Sequence, residues 1–118
     1  MSLHLVLPLP PSVNALYRAI GRGRNILSKQ GREWYATSVP LIRQQANGWF
    51  VTGRVGIRVE ITWPNKLRRD ISNIVKSLED AITKAKVWND DSQIDDLRVI
   101  RQPVDKDNPR CEVWIEAL

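Results

Sequence analysis

The chain has 118 residues, 42% hydrophobic and 26% charged, enough to bury one modest core and too few for two. Its single cysteine, Cys111, excludes an intrachain disulfide and a CxxC-type zinc site, so the expected setting is a reducing cytoplasm. Net charge is +5 but unevenly spread: residues 1–69 hold eleven Lys and Arg against two acids, net +9, and residues 70–118 hold seven against eleven, net −4.

Leu3–Leu7, LHLVL, predicts a first strand, which PLPPS ends because proline removes an amide donor and fixes extended or turn geometry. Pro8 also breaks the only apolar run near the start, and no later stretch approaches ~18 apolar residues, so neither an export sequence nor a membrane span is expected. RAIGRGRNIL, Arg18–Leu27, has glycine punctuation and three arginines, which predicts a mobile basic loop or a hairpin tip. Ser28 is placed to cap a helix in which Trp34, Tyr35, Val39, Ile42 and Ala46 recur at helical spacing, and Pro40 is expected to kink or interrupt it. VGIRVEITW then alternates Val55, Ile57, Val59, Ile61 and Trp63 with polar or small residues, the period of a strand with one buried face.

From Asp70 the period changes. Ile71, Ile74, Val75, Leu78, Ala81, Ile82 and Ala85 follow the spacing of an amphipathic helix, with Asp70 where an N-cap carboxylate belongs. LRVIR and CEVWIEA predict two closing strands joined by the turn-rich QPVDKDNPR, with Cys111 a small buried residue. The expected fold class is α+β: a small mixed sheet with two main helices packed against it, one domain over residues 1–118.

Basic residues suit a polyanion, but carboxylates repel phosphate unless cations intervene, and their juxtaposition suggests a metal ion held between protein and nucleic acid. Asn73, Lys76, Ser77, Asp80 and Lys84 fall on the polar side of the Asp70 helix, a pattern that a solvated face also explains. Asp70 follows KLRR at a strand-to-helix junction, and Asp90 and Asp91 enter the next strand, which a βαβ-like return brings near the helix start. Carboxylates from separate segments beside a lysine are the arrangement that binds Mg²⁺ and hydrolyses a phosphodiester. Capping by Asp70 with turn formation by Asp90 and Asp91 accounts for the same spacing. GRGR lacks the Gly-Lys-Ser/Thr ending of a P-loop, and His4 has no metal-spaced partners.

RRDISN at 68–73, Lys76, Asp80 with Ala81, and NDDSQI at 89–94, together with LPLPPSVNALYR and SKQGREWYATSV, resemble the RusA family of endodeoxyribonucleases, which resolve Holliday junctions. The resemblance covers almost the whole chain in the same order. It implies the small α+β RusA fold, a homodimer, and Mg²⁺-dependent hydrolysis of branched DNA at four-way junctions, with Mn²⁺ as a substitute metal. Enzymes of the family are frequently encoded by phages and prophages. The family's D-x-D-N motif falls on Asp70, Ile71, Ser72 and Asn73, its lysine on Lys76, and its later acid on Asp91 with Asp90 beside it.

On that resemblance Asp70, Asp91 and Asp90 hold the metal, Lys76 offsets charge on the phosphate, and Ser72, Asn73 and Asp80 are accessory. Ser72 departs from the motif, since a hydroxyl is a neutral and weaker ligand for a hard cation than a carboxylate. Arg18, Arg22, Arg24, Lys29, Arg32, Lys66, Arg68 and Arg69 are the expected phosphate contacts. Paired incision of two strands fits a twofold dimer. The alternative is a junction-binding protein of the same fold that cuts weakly or not at all; a third is an RNA-binding or assembly protein that uses the basic half.

Overall fold

Alternation builds the centre of the molecule. In β4 (Val55–Thr62) Val55, Ile57, Val59 and Ile61 are buried on one face, as are Cys111, Val113 and Ile115 in β6 (Arg110–Ala117) and Leu3, Leu5 and Leu7 in β1 (Ser2–Leu7). The computed structural model, which describes residues 2–118, joins these strands and β5 (Ile94–Arg101) in a sheet of order β1-β6-β4-β5. β6 runs antiparallel to both β1 and β4, whereas β5 runs parallel to β4, so the sheet is mixed. A parallel pair needs a crossover, and α3 (Ser72–Lys84) supplies it.

Two helices cover one face of the sheet. Trp34, Ile42 and Ala46 of α2 (Lys29–Ala46) and Ile74, Leu78, Ala81 and Ile82 of α3 join the strand residues in one core cluster, with Val87 and Trp88 sealing the end of α3. Burial within this cluster pushes the Cys111 thiol up to about 12, so it stays neutral. The other face carries His4, Arg58 and Trp114, with the His4 ring stacked 4.5 Å from that of Trp114. No helix among the described residues is long and apolar enough to cross a membrane.

The expected sheet and helices are present, and four local expectations resolve or change. The glycine-punctuated basic segment is a hairpin, β2 (Tyr17–Gly21) with β3 (Arg24–Leu27), whose tip has positive φ at Gly21, Arg22 and Gly23 in succession. α2 runs through Pro40 without interruption: Pro40 and Ala36, whose carbonyl it leaves without a helical donor, are both exposed, where such a carbonyl costs little. Asp70 is not the N-cap of α3. That position is Ile71, already in the αR conformation, because the chain begins to turn one residue earlier, with Asn73 N donating to Asp70 O at 3.2 Å. Ser77 is not on a polar face but fully buried, its hydroxyl donating to Pro11 O at 2.7 Å.

Ser28 caps α2 as its sequence suggests and does more. Its Oγ accepts from Gly31 N at 2.9 Å and donates to Ala15 O at 2.6 Å, tying α2 to the one-turn helix α1 (Val13–Leu16). The approach is so close that a Cβ on Gly31 would lie 2.3 Å from Leu16 O.

Candidate active site

The β4–α3–β5 return places the start of β5 alongside α3. Here Lys76 Nζ lies 2.6 Å from Asp91 Oδ2 and 3.2 Å from Asp80 Oδ1, one helical turn further on. The bond to Asp91, reinforced by Asp80, pushes the Lys76 ammonium above the usual lysine range, so it is charged at neutral pH. Glu79 is half-buried beside this group; burial, then the Asp91 charge, raises its carboxyl pKa.

Asp91 opens a 3₁₀ turn, Asp91–Gln93, and Gln93 anchors it. The Gln93 Oε1 accepts from the amides of Asn89 and Asp90 at 2.8 and 3.1 Å. Its Nε2 donates to Val51 O and Gly53 O at 3.1 and 2.9 Å, so the buried amide is fully satisfied. The acidic loop is thereby fixed to the segment that precedes β4. Asp90 is exposed; the Ser92 hydroxyl and nearby amides bond its carboxylate and hold its pKa below the usual range. Gln93 was not among the expected site residues, although it sits within NDDSQI.

The head of α3 borders a cleft of about 880 Å³ between the PLPPS segment, the first turns of α2, and the chain from Trp63 to Ile74. Asp70 and Asn73 line it with Arg68 and Arg69, and Asn73 Nδ2 donates to Asp70 Oδ2 at 3.4 Å. Ser72 is exposed as the first residue of α3. The Arg69 guanidinium lies 5.5 Å over the Trp63 ring and donates to Asn65 O and Leu67 O at 3.3 and 3.4 Å. Arg101 lies 4.8 Å over the same ring and donates from Nη2 to Arg69 O at 2.6 Å.

Lys76, Asp80 and Asp91 therefore form one cluster, and Asp70 with Asn73 a separate pair at the head of the same helix. Of the expected phosphate contacts, Arg18, Arg22 and Arg24 lie on the exposed hairpin, Lys29 and Arg32 open α2, Arg68 and Arg69 line the cleft, and Lys66 is exposed in the irregular segment before them. Arg32 and Arg69 already donate to backbone carbonyls. The donors suit a hard divalent cation, since they are carboxylate oxygens, and the Lys76 ammonium shows that positive charge is stabilised between two of them. Among the described residues no three His, Cys, Asp or Glu side chains close around one point.

The chain matches known proteins along nearly its whole length. The family described as Endodeoxyribonuclease RusA matches residues 8–116. The chain is 39% identical over 115 residues to the "Crossover junction endodeoxyribonuclease rusA" of Enterobacteria phage 82, covering 98% of this chain and 94% of the relative. It is 38% identical over 114 residues to the proteins of the same description from Shigella sonnei strain Ss046 and Escherichia coli strain K12, covering 97% of this chain and 93% of each. Matches of this identity along nearly the full length make the chain a member of the RusA family of endodeoxyribonucleases.

Proposed function

We propose that the protein is a cytoplasmic, homodimeric endonuclease that cuts four-way DNA junctions by paired hydrolysis with Mg²⁺, for which Mn²⁺ substitutes, in recombination and repair. The observation that carries the reading is the Lys76–Asp91–Asp80 cluster on a crossover helix whose head presents Asp70 and Asn73 to a cleft flanked by arginines. Phosphodiester hydrolysis needs positive charge at the scissile phosphate and an activated water, and this arrangement holds both an ammonium and free carboxylate oxygens near a basic surface.

Asp70 and Asp91, from the two separate groups, would together hold the metal, with Asp90 beside Asp91, and a metal held there would supply polarisation of the phosphate and a lowered pKa for the attacking water. Lys76 bonds only Oδ2 of Asp91, which leaves Oδ1 for a ligand role, and Asp80 holds the same ammonium from 3.2 Å, so the lysine would stay positioned toward the phosphate. Asn73 fixes the Asp70 carboxylate from the next turn, and Ser72 offers only a neutral oxygen.

The test is a synthetic four-way junction incubated with and without Mg²⁺. Symmetrically paired nicks are expected only with metal, and Asp91→Asn should cut at least about 100-fold more slowly while binding the junction as tightly as the parent. Binding without nicks in the parent protein would instead identify a junction-recognition protein that does not cut.

A further inference from the structure

We infer that Arg101, at the far end of β5, is a positioning residue that holds the Asp70 segment in its working place; this rests on the nuclease reading above. Residues 64–71 contain Lys66, Arg68, Arg69 and Asp70 yet form neither helix nor strand, and most are exposed. Their hydrogen bonds are nearly all internal: Leu67 N to Asn65 Oδ1, Arg69 Nη1 to Asn65 O and Leu67 O, and the Asn73 contacts at the head of α3. Among the described residues, the one bond that reaches this stretch from a distant part of the chain is Arg101 Nη2 to Arg69 O, at 2.6 Å.

The tie is built on a rigid base. Arg101 pairs in parallel register with Ile61, two residues before Trp63. The pairing continues past the strand end through Gln102 N to Ile61 O at 2.9 Å and Asp105 N to Trp63 O at 3.0 Å. The buried Trp63 ring carries the guanidiniums of both Arg101 and Arg69. A planar guanidinium stacks on the ring and donates to the Arg69 carbonyl at once; an ammonium is a point charge that does not combine the two. The bonded carbonyl belongs to the residue that immediately precedes Asp70. β5 thus fixes both halves of the site, the Asp91 turn at its start and the Asp70 segment at its end.

The competing role for an exposed arginine near the cleft is direct phosphate contact, and the two roles separate by experiment. In Arg101→Ala the rate at saturating junction and Mg²⁺ should fall on the order of 10- to 100-fold, the effect of a small misplacement of a catalytic group. The slope of log affinity against log salt should stay unchanged. Arg101→Lys should be equally impaired, since it restores charge but not the tie. Trypsin reads the tie without any cleavage assay: nicking after Lys66, Arg68 and Arg69 should accelerate several-fold in both variants, with nicking at sites other than residue 101 unchanged. A salt slope reduced by about one together with recovery in Arg101→Lys would make Arg101 a phosphate contact and overturn the inference. Unchanged nicking of 66–69 overturns it whatever the cleavage result. A parent protein that cuts no junction defeats the nuclease reading, and the trypsin result then decides the tie on its own.

Discussion

Lys76 meets one of its partners through local spacing and the other through the fold. Its contact with Asp80 is an i,i+4 pair, visible in the sequence as a helical interval. Its shorter contact, with Asp91, spans fifteen residues and exists because β5 returns parallel to β4, which no local pattern states. Asp70 shows the opposite error. A carboxylate before an apolar periodic run reads as a cap, but Ile71 is already helical and the carboxylate stands free of the cap position, beside Asn73. Gln93 was invisible for a plain reason: an amide in a polar turn reads as solvated, and only the fold shows it bonded on four sides. Replacing it with the similar-sized Leu should therefore cost about 3 kcal/mol, because buried amides and carbonyls lose their partners. Urea unfolding of Gln93→Leu checks this, and a loss under about 1 kcal/mol would show that water replaces the amide.

Among the elements, those with the cleanest periodicity were the most legible. β4 follows its alternation from Val55 to Ile61, and α3 buries Ile74, Leu78, Ala81 and Ile82 as its 3, 4, 7 spacing requires. The burial of Ser77 does not follow from that spacing, because it depends on the Pro11 carbonyl, 66 positions away in sequence, which supplies its hydroxyl with an acceptor. The joint between α1 and α2 is similar: SKQGREW displays a cap and a glycine, but not the carbonyl that the glycine must clear. Gly31→Ala should lower stability by about 1–3 kcal/mol, since the new methyl meets backbone at Leu16 rather than a side chain free to rotate. Thermal unfolding measures the effect, and a variant as stable as the parent would show that α1 can shift to make room.

Across the whole molecule, the charge division seen along the chain becomes a division of labour. The net +9 half supplies the hairpin, the start of α2 and the flank of the cleft, while the acids of the Lys76 cluster come from the half of net −4. The hairpin holds Arg18, Arg22 and Arg24 without an acidic residue, so it is the surface best suited to bind phosphates and leave the chemistry unaltered. Removing all three as Ala should flatten the salt dependence of junction binding by up to about three, roughly one per contact, and leave the rate at saturating junction within a few-fold of the parent. Binding measured from low to high salt decides this; an unchanged slope would move the DNA-binding surface off the hairpin.

The order of strands has a consequence for how the protein comes into being. β6 lies between β1 and β4 in the sheet yet is the last of its strands to be synthesised. While translation is under way, Leu3, Leu5 and Leu7 have no neighbour to pair with, because the strand that bridges them to β4 is still unmade. The local β4–α3–β5 unit can form first, but its apolar faces stay open until residues 110–117 leave the ribosome. A nascent chain therefore spends its synthesis without a closed core, and a chain cut short by a stalled ribosome has no completed sheet on which to hold its acids.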